Sequence, residues 1–319
     1  ASPNVSVRKI AFASFIGTAI EFFDFGIFST ASALVFNKIF FPSLDPLAGT
    51  LAAFASFGVA FVIRPLGAVM FGHFGDRLGR KRMLALSLSL MGVGTAMVGL
   101  LPTYAQIGIL APILLVVSRL LQGLAVSGEW SGAVLMAMEH APPEKRAYYA
   151  CWPQRGVPFG WVLATGSFFF VAMLPEDDLM SWGWRVPFLA SAALVLVGLY
   201  IRLQIPESPA FEAVRRRGQV SKFPAREVIR TAWRPLLIAI ASMAANSVVF
   251  YMAAVFALNY GVEQGGASRN AMLFAVVVGL LLQVFTIPVV ANLADRHGRR
   301  PVLLAGCAIS VLWAFPFFW

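Results

Sequence analysis

A basic turn that occurs twice constrains this chain more than any other feature. The stretch Gly72-His73-Phe74-Gly75-Asp76-Arg77-Leu78-Gly79-Arg80-Lys81-Arg82 is matched by Ala291-Asn292-Leu293-Ala294-Asp295-Arg296-His297-Gly298-Arg299-Arg300-Pro301. Asp, Arg, Gly and Arg recur at one spacing, 219 residues apart. Each copy is a short polar turn between two long apolar runs. In a membrane chain, an internal repeat of that size points to a transporter with its site between the repeats.

Composition sets the solvent. The chain is 59% hydrophobic and 13% charged, with 28 Phe and 8 Trp, whereas soluble domains carry roughly 25% charged residues. Most of the surface must therefore meet lipid. A net charge of +10 would suit a nucleic-acid partner. The Lys and Arg residues, however, sit in short turns between apolar runs, a pattern of membrane topology rather than of a phosphate-binding face. No nucleic-acid partner is expected. Cys151 and Cys307 fall in apolar runs and read as packing residues rather than a disulfide or metal site. His73, His140 and His297 lie scattered at run ends without metal-ligand spacing. No metal and no cofactor are expected. No nucleophile–base pair or nucleotide-binding loop speaks for an enzyme or an ATP-driven pump.

A span needs about 20 apolar residues to cross about 30 Å of hydrocarbon. Nine runs qualify: 11–36, 51–72, 83–101, 107–138, 148–174, 184–203, 235–260, 270–293 and 301–319. The first is too long for a cleavable signal peptide and carries Glu21 and Asp24. Six runs precede the linker and three follow it. The expected division is 1–203, a six-helix half; 204–234, a cytoplasmic linker; and 235–319, the first three helices of a second half. A repeat of six predicts three more helices, so the chain reads as a transporter lacking them. The linker opens with Pro206-Glu207-Ser208-Pro209 and reads first as a solvated tether that obeys the positive-inside rule, with an interfacial amphipathic helix over Pro224 to Trp233 as the second reading. With the N-terminus in the cytoplasm, 19 of the 25 Lys and Arg, Arg202 among them, fall on the inner side. Only Lys38, Arg185 and Arg269 fall outside, which fixes the orientation.

Six ionisable residues are expected at membrane depth, away from the run ends: Glu21, Asp24, Arg64, Arg119, Glu129 and Arg155. Charge at membrane depth is costly, so each is a functional candidate, or else half of a structural ion pair. Glu21 and Asp24 are three apart and sit on one helix face. Two carboxylates that close repel, and a proton on one relieves the repulsion. Asp24 and Arg119 are expected at the same depth, where Arg119 could act on Asp24. Arg64 precedes Pro65, which frees a backbone carbonyl. Glu129 and Arg155 lie thirteen residues either side of Pro142, hence at one depth in an antiparallel hairpin. Arg155 is expected either to pair with Glu129 or to face the cavity as an anchor for a substrate carboxylate. Gly156 and Gly160 form a close-packing pattern, and Pro153 and Pro158 are expected to bend the fifth helix. Asn246, Tyr251 and Gln283 are polar handles on apolar helices.

The repeated turn resembles the loop between the second and third helices in each half of the major facilitator superfamily. Further motifs resemble its metabolite:proton symporter family. They are Ile20-Glu21-Phe22-Phe23-Asp24-Phe25, Arg64-Pro65-Leu66-Gly67, Arg119-Leu120-Leu121-Gln122-Gly123 and Gly128-Glu129-Trp130. Glu139-His140-Ala141-Pro142, Trp152-Pro153-Gln154, Trp182-Gly183-Trp184-Arg185-Val186-Pro187-Phe188 and Glu207-Ser208-Pro209-Ala210-Phe211 complete the set. The last groups are most similar to the shikimate-transporter-like branch. Ser127 and Arg155 depart from the pattern, and Arg155 adds a positive charge at membrane depth.

The resemblance implies an all-α membrane protein with the major facilitator fold of two six-helix halves. It implies a monomer in the bacterial inner membrane that imports a small polar metabolite, an organic acid, together with protons. Proton-coupling candidates are Asp24, Glu21, Arg119 and Glu129. Substrate candidates are Arg64, Gln154, Arg155, Asn246 and Tyr251. A cytoplasmic charge network would latch one state, drawn from Gly72, Asp76, Arg77, Gly79, Arg80, Glu139, Arg146, Glu207, Asp295, Arg296 and Arg299. The alternatives are an osmolyte or zwitterion symporter, and a nutrient sensor on a transporter scaffold.

Overall fold

The computed structural model describes residues 6–216, 224–252, 260, 261, 266 and 268–316. Each of the nine apolar runs holds a helix: α1 (Val7–Phe40), α2 (Pro46–Leu78), α3 (Arg80–Leu100), α4 (Leu110–His140), α5 (Trp152–Val171), α6 (Glu176–Leu203), α7 (Trp233–Tyr251), α8 (Arg269–His297) and α9 (Arg299–Trp313). Among the described residues, α1, α2, α3, α4, α6 and α8 are the six long and apolar enough to cross a membrane. Helix α5 is shorter on apolar residues because Trp152, Pro153, Gln154 and Arg155 fill its first turn. The end expected for the seventh run, 253–259, and the last residues, 317–319, lie outside the described residues. The linker holds two short helices, Pro209–Arg216 and Pro224–Thr231.

Local chemistry explains the helix ends. Asp45 caps α2 by accepting from Leu47 and Ala48 N–H, each at 3.1 Å, with Pro46 in the first turn. Pro65 has no N–H for the Phe61 carbonyl, and α2 carries a seam at Ile63. Helix α4 ends at Pro142-Pro143. Ser268 caps α8 through Ala271 N–H at 3.2 Å. Pro153 does not bend α5 as expected. It stands in the first turn, where a missing N–H leaves nothing unpaired, and only Pro158 is interior.

The repeat is also structural. Gly79 between α2 and α3 has φ 104°, and Gly298 between α8 and α9 has φ 91°. Both turns need a left-handed backbone that costs glycine little, and each reverses the chain with one residue.

Helix α1 is the hub. It is buried along most of its length, while α9 turns Leu303, Ile309 and Leu312 outward. Gly156 and Gly160 of α5 let the two backbones touch. A Cβ at Gly156 would lie 2.7 Å from the Phe15 carbonyl oxygen and 2.8 Å from Ala19 nitrogen. At one end Phe28, Phe36, Phe40, Trp184 and Phe188 form an aromatic core, with Phe36 and Trp184 edge to face at 5.6 Å. Edge-to-face packing adds to area burial and ties α1 to α6.

Candidate transport site

Three carboxylates line the interior of the first six helices, and each meets a different partner. Asp24 is buried and accepts hydrogen bonds from the hydroxyls of Thr95 on α3 and Ser191 on α6. Gln122 Nε2 of α4 donates to the same Thr95 oxygen at 2.6 Å. Arg119, one turn before Gln122, acts on Asp24 electrostatically but makes no ion pair among the described residues. Its guanidinium carbon lies 3.3 Å from the centre of the Phe28 ring, and its Nε and Nη2 find no acceptor.

Glu21 does not share a partner with Asp24. Its Oε1 meets Arg64 Nη2 at 3.2 Å, and its Oε2 is buried without a donor. Arg64 lies beside the stacked pair Phe25 and Phe61, 4.9 Å and 5.0 Å from the ring centres.

Glu129 does not pair with Arg155. It pairs with Arg202, whose Nη1 donates to Oε2 at 2.7 Å and whose Nη2 meets Oε1. Ser87 adds a hydrogen bond at 3.2 Å. Arg202 was counted above among the inner-side loop charges. Instead it lies in the last turn of α6, only 4% exposed. The available signal was its place between Ile201 and Leu203, inside an apolar run and before the proline-rich linker. Gly17 makes room for this pair, since any Cβ there would collide with Arg202 Nη2 and Glu129 Oε1.

Arg155 turns the other way. Its Nε donates to the Val284 carbonyl of α8 at 3.0 Å. Pro288 stands four residues after Val284 and cannot supply the helical N–H that carbonyl needs. The odd arginine therefore satisfies a carbonyl freed by an interior proline. Gln154 accepts from Trp130 Nε1 at 3.0 Å. Both border a cavity of about 570 Å³, lined also by Cys151 and by Arg299 from the far side. Asn246 is exposed on α7 and the Tyr251 side chain lies outside the described residues.

The cytoplasmic charges form two separate assemblies. In the first, Glu207 Oε1 caps α3 by accepting from Arg80 and Lys81 N–H at 3.0 Å and 3.1 Å. Arg80 pairs with Glu139, to which Ser208 also donates. In the second, Asp295 accepts from Ala147 and Tyr148 N–H at 2.9 Å and 2.8 Å, joining α8 to the turn between α4 and α5. Asp76 is exposed but acts electrostatically on Arg80 and Glu139 of the first assembly. Arg77, Arg146, Arg296 and Gly72 are exposed and, among the described residues, make no hydrogen bond or ion pair within either assembly. Sequence reading gave no role to Thr95, Ser191, Ser87 and Arg202, and quoted Gln122 and Ser208 only as members of motifs.

Asp295→Ala is expected to remove both caps and to cost the strapped arrangement about 1 kcal/mol. In a Cys307→Ser background, a maleimide reagent is expected to label Cys151 several-fold faster. Unchanged labelling would mean the strap holds nothing closed.

The profile of the family described as "Sugar (and other) transporter" matches residues 9–245 and 234–318. The chain is 44% identical over 318 residues to the inner membrane metabolite transport protein YhjE of Escherichia coli, covering 98% of this chain and 72% of that protein. It is 45% identical over 317 residues to the shikimate transporter of the same organism, with the same coverage. Among solved structures, the proton:xylose symporter XylE with bound 6-bromo-6-deoxy-D-glucose aligns at TM-score 0.66 and 18% identity, over 92% of this chain and 70% of XylE. At that identity the likeness shows the major facilitator fold. The chain belongs to the sugar (and other) transporter family and has the major facilitator fold. It is a multi-pass membrane transporter of small molecules and not an enzyme.

Proposed function

We propose that this transporter is a proton symporter that imports a small organic acid across the bacterial inner membrane by alternating access, with its N-terminus in the cytoplasm. Its two halves, 1–203 and 235–319, would rock about the cavity beside Gln154, with 204–234 as the tether. Asp24 carries this reading. It is a carboxylate sealed at mid-helix, held by two hydroxyls that tolerate either protonation state, beside an arginine with unused N–H groups. When Asp24 is charged it attracts Arg119, and when protonated it releases it. A change of state that moves a buried guanidinium can bias one helical packing over another. Asp24, Glu21 and Arg119 would set the proton response, with Glu129 as its fixed neighbour. Arg64 and Gln154 would meet the substrate, and Asn246 and Tyr251 would meet it from α7. Arg155, bonded to Val284, would serve as a strap between the halves rather than as an anchor.

The shikimate transporter among the relatives supports an organic acid. A proline/betaine transporter of Salmonella typhimurium, 36% identical over 325 residues, keeps the zwitterion reading as the second one.

The test is uptake into vesicles. Asp24→Asn is expected to abolish accumulation driven by a pH gradient while leaving substrate exchange across the membrane. Normal gradient-driven accumulation in Asp24→Asn would remove Asp24 from the proton path. Saturable uptake of glycine betaine but not of shikimate would favour the zwitterion.

A further inference from the structure

The two buried Arg–Glu pairs differ in a way that assigns them different tasks. Glu129 and Arg202 are closed: both carboxylate oxygens are used, and Ser87 completes the site. Glu21 and Arg64 are half open. They share one contact at 3.2 Å, longer than the ~2.7–2.9 Å of a good charge-assisted bond. Glu21 Oε2 and Arg64 Nε are both buried without a partner. A guanidinium with a free edge is made for a two-oxygen acceptor.

We infer that Arg64 is the docking point for a carboxylate of the transported metabolite, and that Glu21 occupies this point until it takes a proton. The inference rests on the organic-acid symporter reading and adds the substrate's charged group and the event that admits it.

Three observations support it. Phe25 and Phe61, stacked on each other at 5.7 Å, hold the guanidinium from one side at 4.9 Å and 5.0 Å and leave an edge for hydrogen bonding. The Arg64 side chain is 30% exposed and that of Glu21 1%, so of the two partners the arginine is the one with open surface. The surrounding charges also fix the balance. Glu21 faces Asp24 on its own helix, Arg64 on α2, Glu129 on α4 and Arg202 on α6. Arg155 on α5 is turned away to Val284. Glu129 and Arg202 neutralise each other, which leaves Arg64 as the free-edged cation beside Glu21. An incoming carboxylate would put two anions on one guanidinium in a dry site. A proton from water, taken onto the Glu21 carboxylate, leaves the local charge as it was. One proton and one carboxylate then enter together, and no covalent bond changes. Asp24 remains the site of the driving proton; Glu21 acts on binding.

The experiment is equilibrium binding to purified protein at pH 5.5 and pH 8, with shikimate, 2-oxoglutarate and glycine betaine as probes and methyl shikimate as the uncharged control. Wild type is expected to bind at least one carboxylate on the order of tenfold more tightly at pH 5.5. Glu21→Gln is expected to bind it at pH 8 as tightly as wild type does at pH 5.5. Arg64→Gln leaves Glu21 without its partner and can lose its fold, so the neutral double variant Glu21→Gln/Arg64→Gln is the decisive one. It is expected to lose carboxylate binding at both pH values while melting as a folded protein. A Glu21→Gln protein with the wild-type pH slope, a double variant that binds like wild type, or no carboxylate binding in any form would each overturn the inference. Loss of gradient-driven uptake with this binding pattern intact would fall on the symporter reading and leave the docking point standing.

Discussion

Arg202→Met is expected to lower the stability of the folded protein by about 3–5 kcal/mol, because it strands the Glu129 carboxylate in a dry site with one hydroxyl for company. Thermal unfolding in detergent, followed by tryptophan fluorescence, reads the loss directly. The double variant Glu129→Gln/Arg202→Gln should unfold closer to wild type, since neither amide needs a counter-charge. Gly17→Ala reaches the same pair from the other side. Its methyl would occupy space held by Arg202 and Glu129, and overpacking of that kind costs about 1–3 kcal/mol. If Arg202→Met melts with wild type, the pair is not what fastens α6 to α4.

This pair also shows which parts of the fold were legible in the sequence. Turn chemistry is local, so the Asp–Arg–Gly–Arg repeat could be read from eleven residues at a time. The backbone agrees, with a left-handed glycine at Gly79 and again at Gly298. The thickness of hydrocarbon fixes run length, so nine helices could be counted. Expected depth could be counted as well, because rise per residue is constant. Azimuth did not follow. Successive residues turn by about 100° around a helix, and nothing in a run of Leu, Val and Phe says which way a lone charge faces. Glu129 and Arg155 were placed at one depth, yet one faces α6 and the other α8. Glu21 and Asp24 differ by about 60° around α1, enough to send one to α2 and the other to α3 and α6. Thr95 and Ser191 were passed over because hydroxyls in apolar helices commonly bond their own backbone. Arg202 was missed for a different reason. Counting charges by side treats the end of a run as loop, and its partner is 73 residues away in sequence.

Arg155→Leu is expected to destabilise the protein by about 1 kcal/mol, the low end of the range for a polar group left without its partner, because the contact is only partly buried. The group at issue is the Val284 carbonyl, which loses its helical donor to Pro288 and takes its replacement from α5. This account makes a prediction that a substrate-anchor role does not. Pro288→Ala restores the missing N–H four residues on, so the carbonyl no longer depends on Arg155. In a Pro288→Ala background, Arg155→Leu should therefore be milder by about 1 kcal/mol in the double-mutant cycle. If Arg155 instead served a substrate carboxylate, Pro288→Ala would leave the effect of Arg155→Leu unchanged, and the loss would show in the affinity for anions. Additive melting shifts in the four proteins of that cycle would exclude the strap. A shortfall confined to the double variant would establish that a proline in one half and an arginine in the other form a single contact across the membrane interior.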